Sequence, residues 1–382
     1  MTAPAHLVVL AAGGTGGHVF PAQALAAELD ARGHRVALVT DSRGDAVVGA
    51  PGAIEVHRIR AGGVAGKSII ARLRSAPELA FGTLQAHRLL KRTAPAVVVG
   101  FGGYASVPTM LAATFAGLAT MIHEQNAILG RANRFLAPRV DRIATSFDSL
   151  AGLPEDAAAR TTRTGMPVRP AVTAMRETPF PALDEDGEVR LLVFGGSQGA
   201  HIFSAIVPAA LARLPGELRR RLRVAQQCRP EDLEATRAAY VDNGITVDLD
   251  TFFDDVPKRL AAAHLLIARA GASTVSELTA IGRPAILVPY RFAIDDHQSA
   301  NAHAVDAAGA GWLMPETAFT ADSLAERLSA LLALPATLIH AAARARAAGR
   351  PDAAGRLADM VCTMLPNGQP VDGQPVNGRA AA

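Results

Sequence analysis

Short apolar runs alternate with longer stretches of helical period along most of the chain. In the first half, residues 7–12, 35–40, 96–100, 118–122 and 140–145 read as strands; in the second, 190–194, 222–226, 245–249, 265–268 and 284–289 do. These are continuous Val/Leu/Ile runs, the pattern of parallel strands buried on both faces. Residues 55–60 alternate polar and apolar, as an edge strand would. Right-handed crossovers through the intervening helices predict doubly wound α/β domains that hold ligands outside the carboxyl ends of the strands. Helices are expected over 22–30, 202–214, 322–334 and 336–348. The longest apolar run, 107–122, falls short of the ~20 residues of a membrane span and reads as a buried helix.

The 382 residues suit two domains of ~150–200 residues each. The first is expected over 1–166 and the second over 167–348. A C-terminal helix over 349–365 is expected to pack back on the first domain, and the polar tail 366–382 to be disordered. The Pro-rich segment 167–183 and the acidic turn 184–187 lead into the second sheet. Two cysteines, Cys228 and Cys362, exclude a disulfide framework and fit a reducing cytoplasm. No basic and apolar leader precedes the first strand, so no signal peptide is expected. Residues 1–166 carry 17 Lys+Arg against 11 Asp+Glu and the remainder 21 against 24. The basic first half points to a polyanionic or membrane-surface partner. Aromatic residues make up 4% and do not interleave with the basic ones, which argues against nucleic-acid binding by base stacking.

The candidate chemistry sits at strand exits. Gly13-Gly14-Thr15-Gly16-Gly17-His18 follows the first strand and opens a helix, the arrangement that brings backbone N–H groups against a phosphate. Gly195-Gly196-Ser197-Gln198-Gly199-Ala200-His201 repeats it after residues 190–194. Two such loops can hold two phosphorylated ligands. Gly102-Gly103-Tyr104 and His123-Glu124-Gln125-Asn126 leave two further strands, and the second reads as four polar side chains facing a cleft. Ala272-Ser273-Thr274-Val275-Ser276-Glu277, after Arg269 and Gly271, opens another helix. Its N–H groups and hydroxyls could take a diphosphate, and Glu277 both hydroxyls of a ribose. Asp295-Asp296-His297-Gln298, with Asn301, offers donors and acceptors suited to sugar hydroxyls. Three other patterns carry less. The dinucleotide fingerprint lacks its third glycine, since position 19 is Val. The Walker-like residues 61–68 have no matching downstream Asp. The Asp-x-Asp pairs at 184–186 and 248–250 read as solvated turn carboxylates.

Together these motifs resemble the MurG family of UDP-N-acetylglucosamine transferases, in order from about residue 6 to about residue 350. Gly165-x-Pro167-Val168-Arg169 belongs to the set. The resemblance implies a GT-B fold, two Rossmann-like doubly wound parallel-sheet domains facing across a cleft. It implies transfer of GlcNAc from UDP-GlcNAc to the muramoyl 4-hydroxyl of lipid I, giving lipid II. On that pattern the donor meets Thr15, Gly16, Gly17, Asn126, Arg169, Ser197, Phe253, Ala272, Ser273, Thr274, Val275, Ser276, Glu277, Gln298 and Asn301. Phe253 is a backbone position near the uracil. Gly14, Gly103, Tyr104, His123 and Glu124 belong to the acceptor side. The resemblance also implies cell-wall and division machinery as partners and a place on the cytoplasmic face of the bacterial inner membrane. Loop 291–296 is one residue longer than the family pattern leads one to expect.

The resemblance implies an α-linked donor and a β-linked product, hence a single inverting displacement with a base taking the acceptor proton. His18 is the candidate base, since an imidazole titrates near neutrality; it could instead orient the acceptor diphosphate, and His123 is the reserve. Helix N-termini and hydroxyls would meet the charge of the departing UDP, with no cofactor and no essential active-site metal expected. Residues 67–92 (Lys67 to Arg92) mix apolar and basic side chains and suit an anionic bilayer. A GT-B transferase with another lipid or aglycone acceptor, and a non-catalytic sugar-nucleotide scaffold, are the alternatives.

Overall fold

The structure is a computed structural model that describes residues 5–13, 16–41, 54–61, 69–184, 186–196 and 199–366. The chain divides into two compact units, Met1–Pro167 with Asp352–Ala382, and Val168–Pro351.

The first unit runs β1 (Leu7–Ala11), α1 (Gly16–Ala31), β2 (Arg35–Thr40), β3 (Glu55–Arg58), α2 (Ile69–Thr93), β4 (Val97–Gly100), α3 (Ser106–Phe115), β5 (Ala119–Glu124), α4 (Arg131–Leu136), β6 (Arg142–Thr145) and β7 (Thr161–Arg163). The second runs α5 (Pro170–Thr173), β8 (Val189–Phe194), α6 (His201–Ala212), α7 (Gly216–Arg221), β9 (Leu222–Gln227), α8 (Leu233–Val241), β10 (Thr246–Asp250), α9 (Val256–Ala262), β11 (Leu265–Ala268), α10 (Ala272–Ile281), β12 (Ala285–Leu287), α11 (His297–Ala307), β13 (Gly311–Leu313), α12 (Ala321–Leu332) and α13 (Pro335–Ala348). Helix α14 (Ala353–Cys362) belongs to the first unit.

Among the described residues the first sheet has the order β3-β2-β1-β4-β5-β6-β7 and the second β10-β9-β8-β11-β12-β13. The named strands pair in parallel throughout. Counted within its own unit, each sheet follows the Rossmann order, and the chain reverses direction between its first and fourth strands. In the first unit that switch point lies between β1 and β4, in the second between β8 and β11. The Gly-rich loops leave the sheets there.

Burial on both faces explains the unbroken apolar strands. Val8, Leu10, Val97 and Val99 pack against Val19, Leu25 and Leu29 of α1 and Leu357 and Val361 of α14. Their neighbours Val9, Val98 and Ile122 pack the other way, onto Leu89 and Leu90 of α2 and Met110 of α3. Arg32 ties α1 to α14 through Asp359 at 2.6 Å and the Gly355 carbonyl at 3.2 Å. In the second unit Leu191, Val193, Leu265, Ile267 and Ile286 share a core with Phe203 and Val207 of α6 and Leu324 and Leu328 of α12.

Two expectations change. The apolar run 107–122 is not one helix: α3 ends at Phe115, the Leu118 N–H turns back onto the Ala113 carbonyl at 3.1 Å, and β5 follows. The short strands β7 and β13 complete the two sheets beyond the strands read from sequence. The Pro-rich segment 167–183 is fastened to the second unit. Buried Arg283 donates to the Thr178 carbonyl at 3.3 Å and the Pro179 carbonyl at 2.9 Å, and Arg176 to the Ala280 carbonyl at 2.7 Å. Among the described residues no single helix is long and apolar enough to cross a membrane, although α12 with the residues from Pro335 to Cys362 would pass as a pair bent by 92°.

Candidate active site

In the first unit the β1 loop and the β4 loop touch. A Cβ on Gly103 would stand 3.3 Å from the Gly13 Cα and 3.3 Å from the His18 Cδ2, and Gly103 has φ +72°. Only glycine meets both demands without strain. His18, in the first turn of α1, lays its ring along Gly102 and Gly103. Gly17 is exposed and Tyr104 half-buried beside α3. Gly14 and Thr15 lie outside the described residues, as does Ser197 in the second unit.

The His18 Nδ1 meets the Gln125 Oε1 at 3.2 Å. The Gln125 Nε2 lies 2.9 Å from the Phe101 carbonyl, 3.0 Å from the His123 carbonyl and 3.1 Å from the His123 Nδ1. The His123 Nε2 meets the Gly165 carbonyl at 2.9 Å. Burial lowers the pKa of His123 to about 4; the Gly165 carbonyl opposes that shift and nearby His18 adds to it.

The stretch His123–Asn126 therefore does not face a cleft as four polar side chains. His123, Glu124 and Gln125 are buried, and only Asn126 is partly open. The reason is position: His123 and Glu124 end β5, which β4 and β6 flank on both edges. His123 is fully buried with both ring nitrogens in hydrogen bonds, which removes it as reserve base. Glu124 is a staple: its carboxylate accepts from the Asn126 N–H at 3.0 Å, the Asn126 Nδ2 at 3.2 Å, the Gly130 N–H at 3.0 Å and the Asn133 Nδ2 at 2.8 Å. Motif reading gave Gln125 no role of its own and passed over Asn133. Asn133 carries a signal in hindsight, a polar residue in the short helix that follows the motif, buried and also donating to the His123 carbonyl at 3.1 Å.

In the second unit the β8 loop needs glycine at 195, because a Cβ there would stand 2.4 Å from the Ala200 nitrogen. His201, the first residue of α6, holds Asp232 at 2.7 Å. Gly271 caps α10 with extended backbone, so Ala272, Ser273 and Thr274 present first-turn N–H groups of the kind that bind anions. Ser276 is half-buried. Val275 is turned into the core, and its N–H is used by the Gly271 carbonyl at 3.0 Å. Glu277 takes two hydrogen bonds from Arg169, Nε to Oε1 at 3.0 Å and Nη2 to Oε2 at 3.2 Å. Burial raises the Glu277 pKa, and Arg169 pulls it back.

Phe253 is buried under the Arg259 guanidinium, 3.9 Å from its ring centre. The Gln298 Oε1 accepts from the Tyr290 N–H at 3.0 Å, so its amide hydrogens are what it can offer a sugar oxygen. Asn301 is fully buried and donates to the Ala270 carbonyl at 3.0 Å; it braces the loop before α10 and does not reach out to a sugar. Asp295 and Asp296, at φ +53° and +52°, hold a left-handed turn that costs roughly 1–2 kcal/mol per non-glycine residue. Ser299 Oγ donates to Asp296 at 2.7 Å and His297 Nδ1 lies 2.8 Å from the Ile294 carbonyl. Arg269 is a brace, reaching the Val288 carbonyl at 3.1 Å and Glu316 at 2.5 Å. Asp248 of the second Asp-x-Asp pair is engaged by Arg259 at 2.6 Å. Among the described residues no three His, Cys, Asp or Glu side chains gather as metal ligands.

Residues 8–145 match the glycosyltransferase family 28 N-terminal domain and residues 190–357 the family 28 C-terminal domain. A protein of Paramagnetospirillum magneticum named UDP-N-acetylglucosamine--N-acetylmuramyl-(pentapeptide) pyrophosphoryl-undecaprenol N-acetylglucosamine transferase is 59% identical, covering 94% of this chain and 97% of its own. The chain belongs to the MurG family. A MurG-family protein of the same name from Rhodospirillum rubrum is 58% identical over 94% of this chain and 92% of its own. The crystal structure of Acinetobacter baumannii MurG superposes with a TM-score of 0.78 at 31% identity, covering 94% of this chain and 99% of that one. The glycosyltransferase of kitacinnamycin, 18% identical with a TM-score of 0.67 over 95% of this chain and all of its own, shares the fold. The two parallel-sheet Rossmann-like domains are those of a GT-B glycosyltransferase.

Proposed function

We propose that this chain transfers GlcNAc from UDP-GlcNAc to the 4-hydroxyl of the muramoyl sugar of lipid I, forming lipid II of peptidoglycan synthesis. The observation that carries the reading is the pair of Gly-rich loops, one at each sheet's switch point, in a chain of this family. On this reading the second unit holds the donor. The N–H groups of Ala272–Thr274 and the hydroxyls of Ser273 and Thr274 take the diphosphate, Glu277 the ribose hydroxyls, Gln298 the sugar, and the backbone at Phe253 the uracil. The side of the site in the first unit takes the acceptor, with His18 accepting the proton of the attacking hydroxyl as the new C–O bond forms and UDP leaves with the electron pair of the old one. Helix N-termini and hydroxyls stabilise the departing diphosphate without an essential metal.

A peripheral place on the cytoplasmic face of an anionic membrane goes with that acceptor. Helix α2 supports it: Ala86, Leu89 and Leu90 enter the core, while Phe81 and Leu84, each 45% exposed, and Arg88, Lys91 and Arg92 stay outside. Phe115 at the end of α3 and Phe135 on α4 are exposed as well, and Arg139 stacks on Phe135 at 4.4 Å. Lys67 and the side chains of 69–76 lie outside the described residues. Recruitment to cell-wall and division machinery is part of the same proposal. Incubating the purified protein with radiolabelled UDP-GlcNAc and a lipid I analogue, with and without EDTA, tests the reaction. Label in a disaccharide product supports it, and no transfer refutes it. Transfer abolished by EDTA refutes the metal-free chemistry.

A further inference from the structure

Gln125 is buried, and nothing in the reaction as proposed uses it. Its amide can be oriented in one way only. The nitrogen faces three acceptors, the Phe101 carbonyl at 2.9 Å, the His123 carbonyl at 3.0 Å and the His123 Nδ1 at 3.1 Å. Turning the amide over would set its oxygen against two carbonyl oxygens at those distances. The two hydrogens of that nitrogen serve these acceptors.

The assignment also closes from the far end. The Gly165 carbonyl, 2.9 Å from the His123 Nε2, is an acceptor only, so that nitrogen carries the hydrogen. Neutral His123 then bears its lone pair on Nδ1, which is what the Gln125 Nε2 needs. A protonated His123 would break the chain by opposing two donors, and burial keeps it neutral. The Gln125 Oε1 thus faces His18 as an acceptor, and the His18 Nδ1, 3.2 Å away, is the donor. A neutral imidazole with its hydrogen on Nδ1 has its lone pair on Nε2.

We propose that Gln125 is a positioning residue: anchored through His123 to the Gly165 carbonyl, it holds His18 in the Nδ1–H tautomer with Nε2 as the proton-accepting nitrogen. The proposal rests on His18 as the base. It explains why two further polar residues, His123 and Gln125, are buried around the end of β5. His123 and Gln125 form a rigid second layer behind the imidazole, as partners of metal-bound or catalytic histidines do.

The test is long-range ¹H–¹⁵N correlation on the full chain with ring-¹⁵N histidine, at neutral pH, with His18→Ala to assign the His18 signals. The wild-type His18 is expected as the Nδ1–H form; an Nε2–H form overturns the proposal. Gln125→Met keeps the bulk and removes the acceptor. It should release the tautomer and lower kcat about 10- to 100-fold with the donor KM within about 2-fold. A folded Gln125→Met protein with wild-type tautomer and kcat also overturns it. If that variant does not fold, the wild-type spectrum alone decides. A His18→Ala enzyme with unchanged kcat alongside an Nδ1–H signal would end the base reading and leave the tautomer assignment standing.

Discussion

Arg169 grips the Glu277 carboxylate with two parallel hydrogen bonds, at 3.0 and 3.2 Å, across 108 residues of sequence. Glu277 is largely buried, its side chain 12% exposed, and burial alone would favour its protonated form. Arg169 opposes that shift and fixes the plane of the carboxylate. The pair joins the N-cap of the short helix α5 to the helix whose N-terminus is proposed to take the donor diphosphate.

Replacing Arg169 by Met removes the group that lowers the Glu277 pKa, so that pKa rises further. A ribose needs the carboxylate as an acceptor, and protonation weakens it. The donor KM should rise about tenfold at pH 7, the scale of one lost charge-assisted hydrogen bond. The acid-side increase in KM should begin at a higher pH than in the wild type. Steady-state kinetics between pH 5 and 8 checks both.

Gly103→Ala would put a methyl group 3.3 Å from both the His18 ring and the Gly13 Cα, on backbone at φ +72°. The conformation costs roughly 1–2 kcal/mol, and Tm should fall by ~2–8 °C. Because the methyl displaces the imidazole, kcat should fall more than the donor KM rises.

His123 titrates at about 4 in the folded protein, against about 6.5 in an unfolded chain. Its folded pKa is depressed, so between these values the unfolded state binds a proton that the native state refuses. Stability is fully present above pH 6.5 and falls as the pH drops toward 4. Between pH 7 and pH 5 the loss from this residue is about 2 kcal/mol. Denaturant melts at the two pH values should show it, and His123→Gln should show a pH dependence smaller by that amount. His34 and His264, also lowered by burial, act in the same direction in both proteins.

Exposed Phe81 and Leu84 with Arg88, Lys91 and Arg92 predict binding to anionic vesicles. Each basic residue contributes ~1 kcal/mol near such a surface, so reversing all three to Glu should weaken sedimentation with vesicles at least ~100-fold. Equal sedimentation with neutral vesicles would contradict the assignment.

The parallel strands were legible because strands covered on both faces need apolar residues at every position, and 7–12 and 190–194 show it. Three-residue β7 and β13 were not legible, since Thr161–Arg163 is polar and Gly311–Leu313 too short for a pattern. The Gly-rich loops announced themselves through composition. What the sequence hid was direction. A polar residue at a strand exit can turn outward or into the second layer, and at His123, Glu124 and Gln125 it turns inward. Pairings such as Arg169 with Glu277, or Arg269 with Glu316, depend on the fold closing and leave no local trace.

The most direct test of the account is the His18→Ala variant in the transfer assay with UDP-GlcNAc and a lipid I analogue. As the base, His18 should be worth about 10²–10⁴ in kcat, with the donor KM within about threefold of the wild type. An unchanged kcat would contradict the account.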